Sequence, residues 1–196
     1  MSSSTSRLGR LAPAALLLLG SVAAAQTAGD GAATELFVTS SECIACHSNI
    51  TAPSGEDISI GHNWRASMMA NSARDPYWHA GVRRESIDHP EAQAAIEDKC
   101  STCHMPMMRF TNAHAGGQGK VFDSLADRAA NPLAMDGVSC TVCHQIEPNN
   151  FGEHESFDGG FQIDTTTAIG QRHIFGPYEV DAGHQRIMSS SCEPFL

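Results

Sequence analysis

The sequence predicts a mainly α-helical fold with extensive loop, built from short helices, and three observations carry that expectation. Aromatic residues make up only 6% of the 196-residue chain while Gly and Pro together number 26, so bulky filling for an interior is scarce and turns are many. Prolines stand just behind residues suited to start a helix, at Asp75-Pro76 and His89-Pro90. Cysteine and histidine recur three times in one five-residue pattern, which suggests that something besides side chains completes the core.

Taken in chain order, the first element is not part of the fold. Arg7 and Arg10 precede an apolar run from Leu11 to about Ala24, closed by Ala23, Ala24 and Ala25. That is the layout of a secretory signal peptide over residues 1–25, with cleavage expected after Ala25. The run is shorter than the roughly 18 apolar residues of a membrane span and contains Pro13 and Gly20. The expected product is a single domain, residues 26–196, exported to a periplasm-like space with no stable membrane insertion.

Within that domain, "DPYWHAGVRRES" places Asp75 as an N-cap and Pro76 at the first helical position. "DHPEAQAAIEDKC" repeats the device, with Pro90 leading an Ala- and Glu-rich helix into a cysteine pair. "VFDSLADRAA" predicts a further helix that stops before Asn131-Pro132. The Gly-rich region from Asn149 to Pro177 predicts loop, with a short hairpin at the weakly alternating "FQIDT".

The three repeats are "CIACH" (Cys43, Cys46, His47), "CSTCH" (Cys100, Cys103, His104) and "CTVCH" (Cys140, Cys143, His144). Composition alone would supply about 0.01 copies of C-x-x-C-H in the whole chain, so three copies call for a shared chemical reason. Haem c attachment provides one. Two thiols add to the two vinyl groups along one porphyrin edge, two intervening residues let one turn of backbone present both sulfurs, and the adjacent histidine becomes the proximal iron ligand. A zinc ribbon needs no histidine after every second cysteine, and three pairs leave an unmatched half-site. A redox dithiol is expected once, in a βαβ setting. Disulfides between pairs stay open in an oxidising compartment. The expectation is three covalent haems per chain, held by the six cysteines with His47, His104 and His144 on iron. Three porphyrins then serve as the missing apolar core, around which the polypeptide wraps.

The sixth ligand on each iron decides what such a protein can do. Outside the motifs stand His62, His79, His89, His114, His154, His173 and His184, enough to cap three irons; the candidates are His89, His184 and His114. Thioethers are the rivals. Met105 follows His104 too closely to reach the far face of the same ring, while Met107 and Met108 could touch a neighbouring haem and Met68 and Met69 could reach the first; the stronger expectation is that methionines pack around irregular, polarizable surfaces such as porphyrin edges.

The blocks "GEDISIGHNWRASMMANSARDPYWHAGVRRE", "IEDKCSTCHMPM" and "DGVSCTVCHQI" resemble the amino-terminal half of bacterial multihaem cytochromes related to the cytochrome c-554 and hydroxylamine oxidoreductase group. The resemblance spans most of residues 35–188 and implies closely packed haems with a redox role in the periplasm. Members divide between electron carriers and enzymes acting on small nitrogen or sulfur compounds. They usually continue into further haem motifs, whereas this sequence ends at "SSSCEPFL" with Cys192 unmatched, so a truncated member, or one completed by another haem-bearing subunit, is expected.

Charge narrows the partners. Residues 26–196 hold ten Lys and Arg against 22 Asp and Glu, a formal charge of −12, which disfavours nucleic acid and anionic membrane surfaces. A redox protein with a basic docking face is the expected partner. The sequence therefore reads as an electron-transfer cytochrome; the alternative is an oxidoreductase with one haem open to a small nitrogen or sulfur compound.

Overall fold

In the computed structural model, the residues described are 35–176, 181–183 and 186. The expected signal peptide, His184 and Cys192 all lie outside them. The described residues are mainly helical and form no β-strand. No helix among them is long and apolar enough to cross a membrane.

Among the described residues nine short α-helices follow one another: α1 (Ser40–Ile44), α2 (Ile60–Arg65), α3 (Met68–Asn71), α4 (Pro76–Asp88), α5 (Gln93–His104), α6 (Pro106–His114), α7 (Val121–Ala126), α8 (Pro132–Met135) and α9 (Cys140–Cys143). Proline sets much of this pattern. Pro76 opens α4 behind the Asp75 cap, whose carboxylate accepts the Tyr77 N–H at 2.9 Å. Pro90 opens a single 3₁₀ turn that runs into α5. Pro106 opens α6, and its ring forces the preceding Met105 out of helical conformation (φ −137°, ψ 53°). That break ends α5 at His104, so the second motif's histidine stands at a helix terminus.

Two expectations need correction. The helix over "VFDSLADRAA" stops at Ala126, four residues early, because Asp127 bonds its own neighbourhood instead: its carboxylate accepts the Ala130 N–H and its carbonyl the Asn131 side-chain amide. The hairpin at "FQIDT" is loop. Ile163 is buried and Phe161 packs beside it, so the alternation there records burial. The Gln162 carbonyl accepts the Glu147 N–H, and Asp164 then turns the chain by accepting the Thr166 and Thr167 N–H groups.

Two apolar clusters hold the chain. The first lies among α4 to α8 and contains Ala73, Trp78, Val82, Met105, Met108, Val121 and Ala134. The second joins the N-terminal segment to α6 and α9 through Leu36, Phe37, Met107, Val142 and Ile163, with Phe110 edge-on to Phe37 and stacked on Phe161. Arg172, 3% exposed, fastens this second cluster by donating to the carbonyls of Glu35, Leu36 and Thr167 and to the Gln145 side chain. Its guanidinium has carbonyl partners on every side, which is how a buried cation is tolerated without a carboxylate in contact.

The methionines after the second motif are core, contrary to the reading that put Met107 and Met108 against a haem. Met107 is fully buried and Met108 nearly so, and both sulfurs face donors, Thr141 Oγ1 at 3.6 Å and Asn112 Nδ2 at 3.2 Å. Helical spacing explains the split: Met105 and Met108 face the first cluster, and Met107 faces the second.

Candidate functional site

The first and third motifs meet. α1 packs on α9, and both line one cavity of about 370 Å³. Cys43, Cys46 and His47 of the first motif and Cys140, Cys143 and His144 of the third all line it, with Ile44, Ile60, Trp64, Met69, Val138 and Ile174 completing a largely apolar wall. The leading cysteines touch: the Cys43 thiol hydrogen-bonds the sulfur of Cys140 and draws the Cys140 pKa down to about 7, against the effect of burial. Burial holds the Cys143 thiol above the ordinary range, reinforced by the neighbouring Cys140.

Asp136, in the loop ahead of the third motif, locks the two motifs together. Its carboxylate accepts the Ser40 backbone N–H at 2.6 Å and the Ser40 hydroxyl at 2.9 Å, satisfying the first turn of α1 with a negative charge where helix polarity favours one.

The second motif sits apart, at the end of α5. The indole of Trp78 lies flat against the His104 imidazole, with centroids 4.2 Å apart and planes 3° from parallel. Burial raises the Cys100 pKa, an effect opposed by the nearby indole N–H of Trp78, which nonetheless finds no well-formed hydrogen bond.

Imidazole orientation is set by backbone carbonyls. His104 Nδ1 bonds the Ser72 carbonyl at 2.8 Å, and the Ser72 hydroxyl returns a bond to the His104 carbonyl at 3.1 Å. His144 Nδ1 bonds the Phe175 carbonyl at 2.6 Å, and the Phe175 N–H returns to the His144 carbonyl at 2.8 Å. A carbonyl can only accept, so in both rings Nδ1 carries the proton and Nε2 keeps its lone pair for a metal.

One segment, residues 60–72, reaches all three motifs. The Gly61 N–H donates to the His47 carbonyl, and a Cβ at Gly61 would stand 2.7 Å from Ile44, so only glycine lets α2 approach α1 this closely. Trp64 Nε1 donates to the Val138 carbonyl at 3.1 Å, the Val138 N–H donates to the Met69 carbonyl at 3.0 Å, and Ser72 pairs with His104. Gly137, at φ +66°, makes the approach to Met69 possible: a Cβ there would stand 2.5 Å from the Met69 carbonyl oxygen. Sequence reasoning missed Trp64, Ser72 and Asp136, because no motif spacing marks them; only the block "GHNWRASMMANS" signalled that its segment matters.

The candidate distal histidines are not drawn together. His89 is exposed between α4 and the 3₁₀ turn, His114 is exposed at the end of α6, and neither lines the cavity. Among the described residues no three metal-ligating side chains converge on a point. A porphyrin brings four nitrogens of its own, and the two thiols and one imidazole of each motif, oriented by a carbonyl in the second and third, fit attachment at its edge and ligation on one face. Comparison of the chain with known protein families, curated proteins and solved structures finds no match.

Proposed function

We propose that this protein is an exported multihaem c-type cytochrome that relays electrons through three covalently held haems. The observation carrying this reading is the shared cavity, whose largely apolar lining includes the cysteines and histidines of two C-x-x-C-H motifs with their leading sulfurs in contact. Haem supplies a one-electron ferric–ferrous couple, tuned by its axial ligands and surroundings. The chain's part is to fix spacing and exposure. Cys43 and Cys140 bring two attachment edges together, Asp136 and Val138 tie those edges to one framework, and Ser72 links that framework to His104. His47, His104 and His144 are the proximal ligands, the latter two already oriented through Nδ1. The same reading assigns residues 1–25 to export and the excess of acidic residues to docking a basic redox partner, through a small transient interface. The resemblance to the cytochrome c-554 and hydroxylamine oxidoreductase group belongs to this proposal and rests on the quoted sequence blocks.

Intact mass and haem staining of the exported protein test the reading. Three covalent haems per chain are expected, and any other number overturns it. Carbon monoxide added to the reduced protein separates relay from enzyme: an unchanged Soret band is expected of capped irons, whereas a shift reveals an open site and favours an oxidoreductase acting on a small nitrogen or sulfur compound.

A further inference from the structure

The lining of the cavity between the first and third motifs bears on which side chain could serve as a second iron ligand there. None of the six histidines described outside the motifs lines it. His62 is exposed on α2, and the cavity is lined by Ile60, Gly61 and Trp64 of that helix. His79 Nε2 is engaged by the Ala73 carbonyl at 2.9 Å. His89 and His114 are exposed at helix ends, His154 packs its ring on Phe157, and in the segment of His173 it is Ile174 that enters the lining.

Met69 does line it. Its backbone is anchored by the Val138 N–H and by the close passage of Gly137, and the next residue, Ala70, is fully buried. Its side chain is nevertheless 52% exposed, a flexible apolar arm on a fixed base beside two C-x-x-C-H motifs. The other described methionines are placed differently. Met105, Met107 and Met108 are buried in the core, Met135 packs against it, and Met68, 89% exposed, is absent from the cavity lining.

Resting on the haem reading above, we propose that the Met69 thioether is the sixth ligand of one of the two irons in this cavity. A thioether is a neutral, soft ligand that raises the potential of a haem relative to a second imidazole. The relay would then contain one haem of higher potential beside a close neighbour, which gives electrons entering the pair a preferred resting place.

The test uses the exported holoprotein. Oxidised protein should show the near-infrared sulfur-to-iron charge-transfer band with the intensity of one haem in three. Met69→Leu should abolish the band and create one carbon monoxide site in the reduced protein. Met69→His should also abolish it, keep three haems and lower one of three midpoint potentials, a readout that survives if the leucine variant folds poorly. Met68→Leu should leave the band intact. Three haems with no such band in the wild type, or a band that persists in both Met69 variants, overturns Met69 ligation alone; a mass without covalent haem overturns the haem reading as well.

Discussion

The second motif is carried by polypeptide, whereas the first and third are carried around a space. His104 ends a twelve-residue helix, stacks on a buried tryptophan and rests beside a cluster of seven buried side chains. The first and third motifs ride on helices of five and four residues, and between them lies a cavity lined by only one aromatic ring outside the motif histidines, that of Trp64. Helices so short have no independent stability. The difference teaches where the shortage of aromatic residues falls: Val142 of α9 packs into the cluster of Phe37, Phe110 and Phe161, so it is the space between the first and third motifs, with Trp64 in its lining, that is left to be completed by something other than side chains.

The sharpest break of that comparison removes one attachment site from each region. Replacing Cys140 and Cys143 by alanine should leave the shared cavity partly unfilled. That space of about 370 Å³ is partly open to solvent, so the loss appears as reduced packing on Ile44, Trp64 and Val138. Hydrogen exchange should show residues 40–47 and 138–146 losing protection together. Replacing Cys100 and Cys103 should cost far less, because α4, α5 and α6 keep their packing. Equal losses from the two double variants would erase the distinction.

A smaller effect sharpens the other side. Trp78 is 8% exposed and braces His104, so Trp78→Leu should destabilise by about 3 kcal/mol, felt in α4 and α5. It should also move one of three midpoint potentials, since the imidazole loses the surface that fixes its rotation. Trp78→Phe should restore most of that potential, which a purely structural loss would not do. A redox titration in which all three potentials move together, or none moves, counts against a bracing role.

What the sequence disclosed follows the same divide. The motifs, the Asp75-Pro76 start of α4 and the Pro90 entry to α5 were legible because each is a local rule written in adjacent residues. The pairing of the first and third motifs was not, because 96 residues separate Ser40 from its partner Asp136 and no periodicity connects them. For Met107 and Met108 packing was legible but its partner was not, since the helical break at Pro106 sends both into the protein core. The alternation at "FQIDT" reported burial of Ile163 correctly, and an Asx turn at Asp164 decided the backbone.

The smallest expected effect is a pH dependence confined to the region of the second motif. Asp98, on α5, accepts two bonds from Arg109, at 3.2 and 3.1 Å, and one from the Gly119 N–H at 2.8 Å. The Arg109 bonds chiefly hold its carboxyl below the usual carboxylate range, with burial opposing. A group whose folded pKa is depressed adds stability that is complete above its unfolded pKa, about 4, and is lost as pH falls through the folded value. Below pH 4 the stability of α5 and α6 should therefore fall in step with protonation of Asp98, while the contacts of Arg172 with carbonyls, which do not titrate, should hold the N-terminal segment on the third motif. Asp98→Asn should lower stability at neutral pH by about 1 kcal/mol, since it weakens a charge-assisted pair without removing every bond, and should flatten the acid dependence of that region. Hydrogen exchange of residues 93–114 measured at neutral pH and at pH 3 distinguishes the cases: an acid loss of protection that survives unchanged in Asp98→Asn would place the responsible carboxylate elsewhere.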